Sequence, residues 1–366
     1  MDSENLSGNK LMPISITLLY DGLEVQEDIY DADAEQLLIT RGATLNSELI
    51  EKIRDLNSGR DSIYVSGDTY KILLDRLPPI EAPNRRVIEE STGYSAAKDE
   101  TFELLDEIAR NKVVNQESLN TVSAELSNRL EVTSPSTILS LINALAPVDE
   151  YLQRHCVNVS LLNGLIGRWL GMPKREVDEL VLIGLLHDCG KAVTPPQVLN
   201  APRKLSVVEF EVIKMHTVYS YDLLTEFSEH VRRAARCHHE KISGFGYPDR
   251  LGRDNIPYEG RITAVSDIYD AMVSQRAYKT PRSPFSIMAM LAELKGKDLE
   301  PELVDVFNGN MPAELMNKPT VMSDGAIGVI RSYDPADIEY PMVEINGAVI
   351  KTGKNLFCTC MYIEEN

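Results

Sequence analysis

The sequence predicts a mainly α protein, with an all-helical central domain, a small α+β N-terminal module and a short β-rich C-terminal tail. Three features support this prediction. From Pro135 to about Gly309, apolar residues recur at the three- and four-residue spacing that is typical of amphipathic helices. Residues 13–66 combine alternating apolar residues with one helical pattern. After "NGNMP", short alternating runs are separated by "SDG" and "NG" turns, as in a sheet built of hairpins.

The N-terminal module is predicted to occupy residues 1–76. In it "ISITLLY" alternates as a strand, "DIYDADAEQLLITRGATL" is typical of a hairpin, and "DSIYVSG" predicts a closing strand. Between them "NSELIEKIRDL" predicts an amphipathic helix, for which either Asn46 or Ser47 supplies the N-cap.

Residues 77–134 are predicted to connect this module to the central domain. The segment from Leu77 to about Ser95 is rich in proline and polar residues, which predicts a linker. Apolar residues then recur at helical spacing around 98–113 and 117–131, which predicts two connector helices. The central domain is expected at 135–311 and the β-rich tail at 312–366.

Composition and charge limit the classes of function. Of the 366 residues, 43% are hydrophobic and 25% are charged, as in ordinary globular proteins. The net charge of −19 disfavours binding to nucleic acid polymers or anionic membranes, which require a basic surface. No apolar run approaches the roughly 20 residues of a membrane span, and the N-terminus lacks a signal-peptide pattern. We therefore expect a cytoplasmic protein that does not bind membranes.

The five cysteines do not predict a disulfide framework, because their number is odd and they are spread over a long chain. Cys156, Cys189 and Cys237 each lie one residue from a candidate metal ligand. We expect them to be reduced and to act as small apolar side chains.

The histidines carry the strongest functional signal. All six lie between His155 and His239, and neutral imidazole is the commonest protein metal ligand near neutral pH. Two adjacent pairs, His187-Asp188 and His238-His239, can each flank a cleft because neighbouring helical residues point in different directions. With three further candidates, the predicted ligand set is His155, His187, Asp188, His216, His238, His239 and Asp267.

Seven ligands are more than one six-coordinate ion needs, so the set predicts two ions. If Asp188 bridges them, one ion takes His155, His187, Asp188 and Asp267, and the other takes Asp188, His216, His238 and His239. Imidazole and carboxylate ligands without thiolate suit iron or manganese, with zinc and other divalent ions as alternatives. Two such ions, about 3.5–4 Å apart, are suited to in-line displacement at phosphorus.

Five motifs in fixed order resemble those of the HD-GYP family, bacterial cyclic di-GMP phosphodiesterases within the HD hydrolase superfamily. They are "HDCGK", "TPPQVLNAPRKL", "MHTVYSYDLL", "HHEKISGFGYP" and "RITAVSDIYDAMVSQRAYK", within about residues 148–310. The resemblance implies an all-helical HD-type catalytic domain with two or three metal ions. It also implies hydrolysis of cyclic di-GMP to pGpG, GMP or both by a hydroxide that bridges the metals.

The resemblance places the family's metal ligands on the same seven residues and gives Asp188 and Lys191 catalytic roles. Lys191 follows His187 and Asp188 by one helical turn, so that its ammonium can reach a phosphate; pairing with a nearby carboxylate is the alternative. Arg276 and Lys279 match residues that bind the substrate phosphates; a structural salt bridge is the alternative for both. Tyr247 of the GYP loop, "SGFGYP", would shape the site or present a surface to partners such as diguanylate cyclase domains.

The sequence departs from the family pattern at three places. Tyr151 stands where members with a third metal have glutamate, which favours two ions. Ser243 replaces an aspartate of the GYP loop, so we expect altered anchoring of that loop. Thr217 and Ser220 replace a proline and a glycine after His216. None of these changes removes a ligand.

Several alternatives stay open from sequence alone. The substrate could be another cyclic dinucleotide, such as cyclic GMP-AMP, or the domain could bind cyclic di-GMP or a partner without catalysis. A homodimer is also open. Asp270 is expected to support a ligand or to stabilise its helix, and direct ligation is its alternative. Glu240 either supports a ligand or is solvated. His230 is expected on the surface or in a packing contact, and Trp169 in a packing contact.

Overall fold

The computed structural model describes residues 11–15, 19–30, 37–55, 62–66, 69, 85–143, 151–199, 201, 203, 205–273 and 283–361. Helices dominate this part of the chain, and small sheets lie near its two ends. The predicted mainly α class is therefore confirmed. No helix of the described part is both long and apolar enough to cross a bilayer.

The N-terminal module contains four short strands and one helix. Strand β1 (Leu11–Ser15) pairs antiparallel with β4 (Ser62–Ser66), and β2 (Ile29–Tyr30) pairs with β3 (Leu37–Ile39) as the predicted hairpin. Helix α1 (Ser47–Asp55) is capped by Asn46, whose Oδ1 accepts from the Leu49 N–H at 2.9 Å. The buried apolar residues of the module, among them Leu23, Ile29 and Ile63, form a cluster of their own.

The connector begins as a helix earlier than the sequence pattern predicts. Helix α2 spans Arg85–Asn111, so the predicted linker up to Ser95 is wrong from Arg85 onward. The physical reason is that the last proline of this segment is Pro83, and the glycine that follows it, Gly93, is tolerated in a helix at a cost of about 1 kcal/mol. Helix α3 (Gln116–Val132) lies close to its predicted bounds and is capped by Asn115, whose Oδ1 accepts from the Glu117 N–H at 3.0 Å.

The central helices pack around a continuous apolar core. They are α4 (Pro135–Asn143), α5 (Tyr151–Trp169), α6 (Lys174–Leu186), α7 (Pro196–Leu199), α8 (Val207–Lys214), α9 (His216–Leu223), α10 (Glu229–Cys237), α11 (Tyr258–Val273), α12 (Pro284–Leu294) and α13 (Pro301–Leu315). Short 3₁₀ turns lie at Cys189–Val193 and Arg253–Asn255. Helix α5 contacts α2, α3, α4, α6, α11 and α13, so it is the centre of the domain.

Helices α5 and α6 approach closely because a glycine lies at their crossing. A Cβ added at Gly184 would come within 2.5 Å of Ser160 Cα. The contact fixes the end of α6 against the first half of α5, and these segments carry candidate ligands. At the far end of α5, the Trp169 ring packs against Phe307 with 6.0 Å between centroids, which is the expected packing contact.

The tail forms a five-stranded antiparallel sheet in the order β8-β7-β6-β5-β9. Its strands are β5 (Pro319–Met322), β6 (Ile327–Ser332), β7 (Met342–Ile345), β8 (Ala348–Lys351) and β9 (Cys358–Met361). The "NG" turn joins β7 to β8, with φ of 51° at Asn346 and 80° at Gly347, as a type I′ turn requires. Buried residues of the sheet, including Met322, Ile330 and Val343, belong to the same apolar cluster as the helical core.

Candidate metal centre

All seven predicted metal ligands converge in the interior of the helical domain. His155 lies in α5, His187 and Asp188 follow α6, His216 begins α9, His238 and His239 follow α10, and Asp267 lies in α11. Their ligand atoms form two groups, each with all atoms within 4.8 Å of one another. The Asp188 group is Asp188, His216, His238 and His239, and the His155 group is His155, His187 and Asp267.

The carboxylate of Asp188 faces the imidazoles of both groups. Its Oδ2 is 3.3 Å from His155 Nε2 and 3.4 Å from His187 Nε2. Its Oδ1 is 3.2 Å from His216 Nε2 and 3.7 Å from His238 Nε2. The two oxygens of one carboxylate therefore serve different sets of imidazoles, which is the arrangement of a bridging ligand.

Backbone carbonyls fix the orientation of three of these rings. The Nδ1 atoms of His187, His216 and His238 donate to carbonyl oxygens three residues earlier, at 2.7, 2.6 and 2.7 Å. A carbonyl only accepts hydrogen bonds, so each Nδ1 carries a proton, and in the neutral form of the ring the lone pair lies on Nε2. The Nε2 atoms point into the centre, as metal-binding histidines require.

The donor atoms fit a cation better than they fit one another. The Nε2 atoms of His155 and His187 lie 3.2 Å apart, and those of His216 and His238 lie 3.5 Å apart. Asp188 Oδ1 is buried without a hydrogen-bond partner among the described residues. Lone pairs this close repel each other, and an unpaired buried carboxylate oxygen is costly. Both costs disappear when a cation binds between the atoms.

Burial keeps three of these histidines, His187, His238 and His239, neutral. Desolvation lowers the pKa of His187 to about 4 and that of His239 to about 3, and it holds the pKa of His238 well below its usual value. Neutral imidazole is the form that binds metal.

The carboxylates of Asp188 and Asp267, in contrast, stay in their charged form. Burial alone would raise the pKa of Asp188, but the Lys191 ammonium and the neighbouring imidazoles hold it well below the usual range. Burial likewise acts to raise the pKa of Asp267, and the hydrogen bond with His155 holds it well below its usual value. The centre therefore combines neutral imidazoles with ionised carboxylates, the protonation state that binds divalent ions.

The predicted substrate-binding residues are described only in part. The Lys191 ammonium pairs with Asp188 Oδ2 in the 3₁₀ turn after the ligand pair. The Tyr247 ring stacks against His239 with 4.7 Å between centroids, and burial raises the pKa of its hydroxyl. Arg276 and Lys279 lie outside the described residues.

Asp270 supports a ligand, as its position one turn after Asp267 suggested. Its Oδ2 accepts from His155 Nδ1 at 2.7 Å. Behind it lie two residues that sequence reasoning missed, Asn158 and Tyr94, which continue the hydrogen bonding. The only sequence signal for Asn158 is a polar residue inside the apolar run of α5, one turn after His155, and nothing marks Tyr94.

Ser220, a departure from the family pattern, binds the turn that carries the ligand pair. Its hydroxyl donates to the His187 carbonyl at 2.9 Å and accepts from the Gly190 N–H at 2.9 Å. The exchange of glycine for serine thus adds two hydrogen bonds to the turn after α6 instead of loosening it.

The GYP loop is anchored by carboxylates from two directions. Asp298 accepts from Lys241 Nζ at 2.6 Å and from Ser243 Oγ at 3.1 Å. Glu240 accepts from the backbone N–H groups of Asp249 and Leu251 at 2.6 and 3.0 Å. Ser243 therefore reaches a carboxylate from another loop, and Glu240 fixes the loop instead of being solvated. His230 lies on the surface with 75% of its side chain exposed.

Gly190 is expected to tolerate no side chain. A Cβ there would lie 2.0 Å from the His216 carbonyl oxygen and 2.6 Å from Ser220 N. We expect Gly190→Ala to lower the free energy of unfolding by about 1–3 kcal/mol, since backbone must move, and to reduce bound metal. Gly309→Ala is the matched control, because its added Cβ meets nothing within 4 Å. Equal melting temperatures and metal content for Gly190→Ala and wild type would contradict this expectation.

Comparison with known proteins agrees with this geometry. Residues 139–303 match the model of the family described as HD domain. A 3'3'-cGAMP-specific phosphodiesterase 2 of Vibrio cholerae is 33% identical over 48% of this chain and 35% of its own length. A cyclic di-GMP phosphodiesterase of Thermotoga maritima is 35% identical over 46% of this chain and 48% of its own. The chain thus spans less than half of the length of either relative.

A solved structure shares the fold. An HDG"Y"P protein from Bdellovibrio bacteriovorus superposes with a TM-score of 0.51 at 16% identity, covering 83% of this chain and 100% of that one. At this identity the likeness concerns the fold alone. Residues 139–303 thus match an HD domain in sequence and share the fold of an HD-type protein, and the motifs resemble those of the HD-GYP family.

Proposed function

We propose that the chain is a metal-dependent phosphodiesterase that hydrolyses cyclic di-GMP to pGpG, GMP or both. The observation that carries the proposal is the position of Asp188, whose two oxygens face two separate sets of imidazole nitrogens. Such a carboxylate is suited to bridge two divalent ions. The names of the relatives, cyclic di-GMP and cGAMP phosphodiesterases, support this class of substrate.

The His155 group and the Asp188 group would each hold one ion, with Asp188 shared. Iron or manganese suits a donor set of imidazole and carboxylate without thiolate. The nearby thiols do not compete, because burial raises the pKa of Cys156 and of Cys189 to about 12 and keeps both protonated. When bound, the two ions would supply Lewis acidity toward the phosphoryl oxygens and lower the pKa of a water molecule.

The residues of the chain have separate roles in this proposal. Asp188 and Asp267 neutralise only part of the metal charge, so that the centre stays positive within a chain of net charge −19 and attracts a phosphodiester. Lys191, whose side chain is 17% exposed, would donate to a non-bridging phosphate oxygen and hold the phosphate over the centre. Arg276 and Lys279 would bind the substrate phosphates, and the Tyr247 ring would form the wall of the site beside His239.

A second candidate is hydrolysis of 3'3'-cGAMP. One relative carries that specificity in its name, and this chain has serine at position 243, where an aspartate is usual in the family pattern. Docking of diguanylate cyclase domains through the GYP loop and formation of a homodimer also stay predictions. For the docking, the relevant feature is Phe245, which is 85% exposed in that loop.

The test pairs metal analysis with product analysis. The protein is purified anaerobically, loaded with iron or manganese, and incubated in parallel with cyclic di-GMP and with 3'3'-cGAMP. We expect two ions per chain and linear pGpG or GMP by chromatography. Faster turnover of 3'3'-cGAMP would support the second candidate. Tight nucleotide binding without any product in fully loaded protein would refute hydrolysis and leave a binding module.

A further inference from the structure

A chain of hydrogen bonds connects the connector helix α2 with the metal centre. The Tyr94 hydroxyl donates to Asn158 Oδ1 at 2.6 Å, and Asn158 Nδ2 donates to Asp270 Oδ1 at 2.6 Å. Asp270 Oδ2 in turn accepts from His155 Nδ1 at 2.7 Å. Asn158, Asp270 and His155 are buried, with exposures of 0%, 0% and 1%. Buried polar groups with this short spacing hold one another in a single arrangement.

The chemistry of the four side chains fixes which of them donates and which accepts each hydrogen bond. The carboxylate of Asp270 accepts at both oxygens, so the amide of Asn158 must present its NH₂ group to it. The carbonyl oxygen of Asn158 then faces Tyr94 and needs a donor. Burial raises the pKa of the Tyr94 hydroxyl, which therefore keeps its proton and can donate. At the other end, His155 Nδ1 carries the proton, and Nε2 keeps its lone pair for a metal.

Tyr94 comes from outside the HD domain that the family match defines. It lies in α2 (Arg85–Asn111), whereas the matched region begins at residue 139. Helix α2 packs against α5 and against the 3₁₀ turn Cys189–Val193, the turn that follows Asp188. The connector thus contributes to the immediate surroundings of the centre and does more than join two domains.

We propose that Tyr94 is a positioning residue for the metal centre, acting through Asn158 and Asp270 on His155. Its hydroxyl fixes the amide of Asn158, which holds the Asp270 carboxylate and so directs His155 Nε2 toward His187 and Asp267. The three hydrogen bonds of this chain end at His155, a member of the His155 group, and involve neither His216 nor His239. The proposal rests on the proposed function only in requiring that this centre binds metal.

Because the hydrogen bonds end at the His155 group, the proposal predicts a different effect on each of the two ions. Loss of the Tyr94 hydroxyl is expected to weaken the ion of the His155 group about 10-fold, the lower end of the effect of groups that hydrogen-bond metal ligands. The ion of the Asp188 group should bind with unchanged affinity. A merely structural hydroxyl would instead lower the melting temperature of the metal-free protein and leave both affinities alone.

The experiment is an anaerobic titration of the full-length, metal-stripped protein with Mn²⁺ against a competing chelator, which gives two dissociation constants. Tyr94→Phe is compared with Asp270→Asn, which should weaken the same ion more strongly. Tyr258→Phe is the matched control, since its hydroxyl donates to the Glu302 carboxylate at 3.3 Å on the surface. In the double variant Tyr94→Phe/Asp270→Asn, the effects should be less than additive.

Three outcomes would overturn the proposal: two unchanged constants in Tyr94→Phe, an equal weakening of both, or full additivity with Asp270→Asn. A failure of the proposed function would give a different experimental result. Wild-type protein that binds two ions but hydrolyses neither nucleotide would end the phosphodiesterase assignment, and the metal constants would still decide the role of Tyr94.

Discussion

Asp188→Asn is expected to abolish the binding of both ions and to lower the rate of phosphodiester hydrolysis by at least about 10³-fold, since the proposed mechanism depends on metal. The substitution keeps the shape of the side chain but removes the charge between two sets of imidazoles. It also leaves the Lys191 ammonium, which pairs with this carboxylate, without its counter-charge. Metal per chain is measured by elemental analysis, and product by chromatography.

The control for this prediction is Asp178→Asn in the same helix, α6. Asp178 pairs with Lys174 at 3.1 Å, and its side chain is 40% exposed. We expect this variant to keep both ions and the wild-type rate. An Asp188→Asn protein with two ions and near-normal turnover would exclude a bridging role for Asp188.

Acid is expected to destabilise the metal-free protein strongly between pH 7 and pH 5. The folded-state pKa of His187 is about 4 and that of His239 about 3, both below the value of about 6.5 in an unfolded chain. In this pH range the unfolded chain takes up protons that the folded protein does not, so stability present at pH 7 is lost as the pH falls. Each such imidazole contributes about 2 kcal/mol to the loss. Asp188 and Asp267, with lowered pKa values, contribute only below about pH 4.

This prediction is checked by urea unfolding of chelator-treated protein at the two pH values. Trp169, the single tryptophan, packs against Phe307 in the helical core, so its fluorescence reports the unfolding of that domain. His187→Gln should reduce the difference between the two pH values by about 2 kcal/mol. His230→Gln, at an exposed position, should leave it unchanged. Equal unfolding midpoints at pH 7 and pH 5 would show that the imidazoles are not held neutral by burial.

The convergence of the seven candidate ligands could be predicted because metal chemistry restricts residue types and the motifs keep a fixed order. The supporting groups could not be predicted equally well. Asp270 lies one turn after Asp267 and so had a local signal, whereas Tyr94 reaches Asn158 across 64 positions of the chain. Side-chain contacts between distant helices leave no spacing pattern in one sequence.

The lack of a spacing pattern also explains the other differences between the sequence-based predictions and the structure. Polar residues after Pro83 resemble a linker in composition, yet they form the first turns of α2. Composition cannot separate a polar helix from a polar loop when no apolar stripe is visible. Ser220, a departure from the family pattern, contributes hydrogen bonds that only the packing of α9 against the 3₁₀ turn makes possible. Arg276 and Lys279, outside the described residues, stay predictions.

The C-terminal sheet shares its buried side chains with the helices, whereas the N-terminal module has an apolar interior of its own. Recombination during evolution could therefore exchange the N-terminal module for another small domain without disturbing the rest of the chain. The sheet offers no such freedom, because Met322, Ile330 and Val343 would have to be replaced together with the helical residues that they touch. Diversity of the attached domain is thus expected at the amino-terminal end, while the carboxy-terminal strands are inherited together with the helices.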